Sequence, residues 1–426
     1  MQLRQVQFYK LSISSPLHKS RRNFIVKKQI MQLAERLNRI SEPQTIMMAK
    51  LGRELKAKGI DVIDLSLGEP DFKTPQHIID AATAAMDQGY TKYPPISGFP
   101  ELRQAIVQKL KRDNKLDYLP EETMVSTGAK QVLANAILCI INPGDEAIIP
   151  TPYWVTYGSL VNLAEGKNVF INCTIEDDFK LTPQRLEAAI TDRTRLFIFS
   201  SPCNPTGAVY TKEELKGLAD VFVKYPNIVI ISDEIYEYIN YTGKHESIAQ
   251  FTTLRDRVVV VNGFAKGFAM TGWRLGYMAA PKELIQACDK LQGQFTSGAN
   301  SIAQRAAITA LTADLTPSFD MVKAFKERKG YFIPALQKIN GIRISQPDGA
   351  FYAFPDISHF YGKSDGTTVV NNADDMAMYL LNTAHVIGVS GAAFGADNCI
   401  RFSFATSMAA LTEGVKRLEA ALGALK

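Results

Sequence analysis

Four stretches of this chain are apolar without interruption: "EAIIP" (146–150), "RLFIFS" (195–200), "NIVIIS" (227–232) and "RVVVV" (257–261). A strand with one wet face alternates polar and apolar residues. An unbroken β-branched run instead suits a strand covered on both faces. Helical patterns lie between the runs. Thr211 with Glu214 reads as a capping box before "LKGLADVFVKY". Thr74 followed by Pro75 reads as the cap and first turn of "QHIIDAATAAMDQ", which Gly89 can close. Strands alternating with helices predict an α/β protein whose large domain has three layers, a mostly parallel sheet between helices.

The two ends of the chain read differently. Residues 44–58 predict a helix. Beyond about 330, "YFIPALQKI", "GIRISQP", "GAFYAFP" and "CIRFSFA" predict a smaller α+β unit, closed by the helix "LTEGVKRLEAALGAL". The first helix is expected to pack with that unit. This gives a large domain over 61–329, a small one from 31–60 with 330–426, and a ligand cleft between them.

Composition narrows the function. The 426 residues allow two or three domains. The longest apolar runs fall far short of the roughly 18 residues of a membrane-spanning helix. Of the formal net charge of +5, the segment 1–30 supplies seven basic residues and no acid, which leaves −2 on the rest. The body therefore shows no basic bias toward nucleic acid. The basic segment lacks the apolar core of a secretory signal, and its composition is loosely that of a transit peptide. It reads more simply as a disordered arm, or as sequence upstream of a start at Met31, which opens a plausible helix. Five cysteines, an odd number with no CxxC or metal-ligand spacing, fit a reduced cytoplasmic setting and no metal site.

The chemistry gathers where the strands end. Gly128 in "STGAKQ" opens a helix, whose first amides and dipole suit an anion. Trp154 in "TPYW" follows "EAIIP". Asn204, between two prolines in "SSPCNPTG", follows "RLFIF". Asp233 ends "NIVIIS", and Tyr236 lies one turn on if the segment is helical. Lys266 and Arg274 follow "RVVVV" within "NGFAKGFAMTGWRLGY". Each has an ordinary alternative: a core tryptophan, a self-capping asparagine, a helix-capping aspartate, a loop lysine. Together they fit one ligand, a phosphorylated pyridine aldehyde. A lysine among Gly, Ala and Phe loses its proton more readily than a surface lysine, as Schiff-base chemistry requires.

From about residue 44 to its end the chain resembles the class I, fold-type I aminotransferases that use pyridoxal phosphate. "SLGEPDF", "TKYPPISGFPELR", "STGAKQ", "TPYW", "SSPCNPTG", "SDEIYE", "AKGFAMTGWRLGY" and "CIRFSFAT" carry the likeness in order. The resemblance implies that Lys266 holds the cofactor covalently and Asp233 pairs with its ring nitrogen. Tyr236 and Asn204 would bond the ring hydroxyl, and Trp154 would stack on the ring. Arg274 with Gly128, Ala129 and Lys130 would take the phosphate, helped by Tyr93 from a second subunit. Arg401 would hold the substrate α-carboxylate near the Gly68 loop.

Lys130 bears on specificity. Acidic-substrate members of the bacterial aspartate aminotransferase branch that this chain resembles carry a lysine there for the distal carboxylate. Ala265 and Gly263 lack hydroxyls found in other relatives, as the aspartate-using branch does. Cys203 is unusual in its motif. Thr45 aligns with a residue near the substrate side chain, or else is a helix N-cap. The expectation is a homodimeric aspartate:2-oxoglutarate aminotransferase with ping-pong kinetics. Prephenate or aromatic transamination, or another pyridoxal-phosphate reaction on the same fold, is the alternative.

Overall fold

The computed structural model describes residues 31, 33–42 and 44–426. The expectations for segment 1–30 lie outside the described residues. No α-helix opens at Met31; a 3-10 turn at Glu35–Arg39 precedes helix α1, Gln44–Ala57.

The central sheet has seven strands. They are β1 (Thr123–Ser126), β2 (Glu146–Thr151), β3 (Lys167–Asn172), β4 (Thr194–Ser200), β5 (Val229–Asp233), β6 (Val258–Gly263) and β7 (Gly276–Ala279), in the spatial order β1-β7-β6-β5-β4-β2-β3. All neighbouring pairs are parallel except those of β7, which runs antiparallel to both β1 and β6. The unbroken apolar runs are explained by what covers them. Phe197 and Phe199 enter one core with Ile230, Val258 and Val260, whereas Leu196, Ile198, Ile231, Val259 and Val261 enter a second core on the opposite face. Both faces are dry, and each such side chain contributes about 1.5–3 kcal/mol by leaving water.

Thr211 and Glu214 form the predicted capping box at the helix Lys212–Val223. Thr74 departs from its expected role. Pro75 occupies the N-cap of the helix Gln76–Asp87 with no side-chain cap. The Thr74 hydroxyl instead donates to the Ala269 carbonyl at 2.8 Å and accepts from the Trp273 indole at 3.0 Å. A contact across about 200 residues outcompetes the local cap.

A third core joins the two ends of the chain. Met48 of α1, Val62 and Leu65 pack with Met321, Phe325 and side chains up to Leu425. The short strand Ile63–Asp64 pairs in parallel with Val386–Ile387. A three-stranded antiparallel sheet places Ile400–Ser403 between Val389–Ser390 and Tyr352–Ala353. The helix Met408–Ala424 closes the chain.

Candidate active site

Strands β1, β2, β4, β5 and β6 all point the same way, so their carboxyl ends share one edge, where open α/β sheets bind ligands. A cavity of about 450 Å³ opens there. Gly68, Gly128, Ala129, Lys130, Trp154, Asn204, Asp233, Tyr236, Lys266, Arg274 and Arg401 all line it, and Thr45 reaches it from α1. Tyr93 does not line it: its side chain is 95% exposed. Thr45 is the second residue of α1, so it does not cap the helix.

Asp233 ends β5 and is buried. Its Oδ2 accepts the Tyr157 hydroxyl at 2.7 Å, and its Oδ1 accepts the Ile235 amide at 3.2 Å. Burial raises its pKa to about 6, against the downward pull of those two hydrogen bonds. The capping role survives in the Ile235 bond, but it stabilises a turn. Glu237 N donates to Glu234 O and Ile239 N to Tyr236 O, so no helix forms over 234–239. The Tyr236 hydroxyl lies 2.6 Å from that of Tyr352.

Lys266 sits three residues beyond β6, half-buried at the cavity floor, and its Nζ donates to the Gly68 carbonyl. Burial and then the Arg401 charge bring its pKa down to about 8. Tyr236 and Phe351 flank the ammonium at 5.6 and 5.8 Å from their ring centroids. An amine so placed becomes a nucleophile near neutral pH.

Arg401 is 2% exposed. Its Nη1 donates to Asn204 Oδ1 at 2.9 Å and its Nη2 to the Ser66 carbonyl at 2.7 Å. Among the described residues its Nε has no partner and the guanidinium has no ion pair. A buried guanidinium with an idle N–H suits an anion from outside the chain. Asn204 is thus occupied by Arg401 and does not cap its own turn.

At the opposite wall, Gly128 is the N-cap of the helix Ala129–Ile140, with φ of 82°. A Cβ on Gly128 would lie 2.6 Å from Arg274 Nη2, and one on Gly276 would lie 2.6 Å from the Gly128 carbonyl carbon. The two glycines let a guanidinium meet a helix start whose first amides lack intrahelical acceptors. Such an arrangement suits an anion such as a phosphate. Trp154 stands half-buried beside it, with the Lys130 ammonium 5.1 Å from its ring centroid. Burial and the Arg274 charge lower the Lys130 pKa. Anion cradle, buried carboxylate, softened lysine and flanking aromatic together fit a phosphorylated pyridine aldehyde.

Sequence reasoning missed Tyr157, Tyr352, Ser66 and Arg53, which share the cavity wall. Tyr157 lies three residues past Trp154, on the same face of the helix Thr156–Leu163 and its entry, a spacing that could have drawn attention to it. Ser66 and Tyr352 fall within "SLGEPDF" and "GAFYAFP", but nothing local marks those two side chains, or Arg53, as facing a cavity.

The profile of the class I and II aminotransferases matches residues 60–418, and the chain belongs to that family. It is 45% identical over 399 residues to the bifunctional aspartate aminotransferase and glutamate/aspartate-prephenate aminotransferase of Petunia hybrida, covering 92% of this chain and 83% of that one. It is 45% identical over 396 residues to the aspartate/prephenate aminotransferase of Nitrosomonas europaea, covering 92% of this chain and all of the other. Among solved structures, the aspartate aminotransferase of Rhizobium meliloti superposes with a TM-score of 0.90 at 40% identity, covering 93% of this chain and 100% of that one. The Thermus thermophilus aspartate aminotransferase with maleate gives 0.87 at 38%, covering 92% and 100%.

Proposed function

We propose that this protein transfers the amino group of L-aspartate to 2-oxoglutarate with pyridoxal phosphate, as a cytoplasmic homodimer. One observation carries the reading. A single cavity brings together a softened lysine, a buried carboxylate and two separate cationic positions, Arg401 and Lys130. Relatives named as aspartate aminotransferases support it, and so does the maleate, a dicarboxylate, in the Thermus protein.

The bound cofactor would supply an electron sink for the charge left when the substrate loses its Cα proton. The chain's own residues do the rest. Arg274 and the amides of Ala129 and Lys130 would hold the phosphate. Asp233 would keep a proton on the ring nitrogen, Asn204 and Tyr236 would bond the ring hydroxyl, and Trp154 would stack on the ring. Lys266 would anchor the cofactor, and its freed amine would take the proton from the substrate Cα. Arg401, fixed by Asn204 and Ser66, grips the α-carboxylate with two parallel hydrogen bonds and so sets the direction of the Cα–H bond. Lys130 meets the distal carboxylate.

The cleft lies, in this reading, between a lobe of 31–60 with 330–426 and a lobe of 61–329. Tyr93, bare in a single chain, reaches the phosphate of a partner subunit's site. Among the described residues no helix is long and apolar enough to cross a membrane, and all five cysteines are free. The cytoplasmic assignment rests on those thiols.

Prephenate is a second substrate in this reading. Relatives bear that activity in their names, and Thr45 lines the cavity. The test is steady-state exchange by the purified, cofactor-loaded protein. L-Aspartate with 2-oxoglutarate should give oxaloacetate and L-glutamate with parallel-line kinetics. Faster turnover of L-alanine or L-phenylalanine than of L-aspartate would overturn the substrate assignment.

A further inference from the structure

Tyr157 has no role in the site as described so far, yet it makes the shortest side-chain hydrogen bond to Asp233. It is 1% exposed and lies at the start of the helix Thr156–Leu163, behind the carboxylate. Its hydroxyl donates to Asp233 Oδ2 at 2.7 Å. The ring is held edge-on by Trp154, 5.6 Å between centroids at 84°. Burial and this edge contact restrain the phenol beside the carboxylate. With Oδ1 taken by the Ile235 amide, both carboxylate oxygens are fixed by donors of this chain.

We infer that Tyr157 is a positioning residue for the reaction: it orients the Asp233 carboxylate and holds it ionised toward the cofactor ring nitrogen. This rests on the reading above that Asp233 faces that nitrogen. A donor to a buried carboxylate stabilises its charged form, and burial opposes it. Other groups also bear on Asp233. Glu234, next in the chain, disfavours the charge, and Lys266 beyond β6 favours it. Cys203 beyond β4 and Tyr236 on the following turn are buried neutral neighbours. Of these, Tyr157 alone donates a side-chain hydrogen bond to the carboxylate.

Behind the phenol lies a small cavity of about 20 Å³, lined by Tyr157, Ser200, Cys203 and Tyr210 among others. The buried Ser200 Oγ has no partner. A space of this size is about that of one water molecule, and the Tyr157 proton is directed to Asp233.

The test compares Tyr157→Phe with the wild type as apoproteins, by equilibrium titration with two ligands. One is pyridoxal phosphate. The other is its analogue with carbon in place of the ring nitrogen. Tyr157→Phe should bind pyridoxal phosphate about tenfold more weakly at neutral pH. The acid limb of its binding curve should move up by roughly one pH unit, because a less stabilised carboxylate takes up its proton earlier. The analogue should bind both proteins alike. Equal losses for both ligands, or an unmoved acid limb, would mean the ring only fills space and would overturn the inference. Wild-type protein that binds both ligands equally would instead remove the Asp233 reading beneath it. Should Tyr157→Phe not fold by circular dichroism, 3-fluorotyrosine at position 157 keeps the shape and strengthens the donor. It should move the acid limb down, and no movement would count against the inference.

Discussion

Lys266 and Asp233 show what the site costs the fold. Burial brings Lys266 down to about 8 from 10.5 and Asp233 up to about 6 from 3.8. A lysine whose folded pKa is depressed binds fewer protons folded than unfolded between those two values. Folding therefore works against its charge at neutral pH, and that cost fades as pH rises from about 8 to 10.5. Lys266→Met apoprotein should accordingly be more stable than wild type at pH 7, by on the order of 2 kcal/mol, and the gain should shrink toward pH 10. Urea unfolding at several pH values measures this, and a pH-independent difference would contradict it. Lys130 tests specificity instead. Lys130→Met should lose about 10- to 100-fold in kcat/KM for L-aspartate and far less for L-alanine. Equal losses for both would place Lys130 on the phosphate alone. Lys266, Asp233 and Arg274 were legible only as a set, because each alone has an ordinary reading but all three follow buried strands, and they line one cavity. Tyr352 and Ser66 were not, because their contacts join positions more than 100 residues apart.

At the scale of elements, the sheet was readable because its apolar runs have one physical cause, burial on both faces. Thr74 shows the limit. A Thr-Pro pair reads as a helix start, and only the fold reveals that Ala269 and Trp273 claim its hydroxyl. The loop after β5 shows another, since "DEIYEY" has helical residues but turns instead. The meeting of Arg274 with the helix start at Gly128 depends on backbone that no side chain fits. Gly128→Ala would force a Cβ into a left-handed conformation and against Arg274. Strain of about 1–3 kcal/mol should weaken cofactor binding about tenfold or more, with little loss of helix content. Equilibrium dialysis measures the first and circular dichroism the second. Unchanged affinity would mean that the phosphate sits elsewhere.

At the scale of the molecule, what a second copy of the chain would supply is the least legible part, since one sequence does not show it. Tyr93 carries that question. If it completes the partner's site, refolded mixtures of inactive Tyr93→Ala and Lys266→Ala chains should regain activity. Half the dimers would be mixed, and each would hold one intact site, so about a quarter of wild-type activity should return. No recovery, with dimers shown by light scattering, would place Tyr93 outside the chemistry. The most direct test of the whole account is one half-reaction. Stoichiometric cofactor-loaded protein is mixed with L-aspartate alone, with no acceptor, while the visible absorption is followed. The account predicts that the band of the lysine-bound cofactor disappears and one oxaloacetate forms per subunit, with the band restored by 2-oxoglutarate. A band that L-aspartate leaves untouched, or oxaloacetate released catalytically without acceptor, would contradict it.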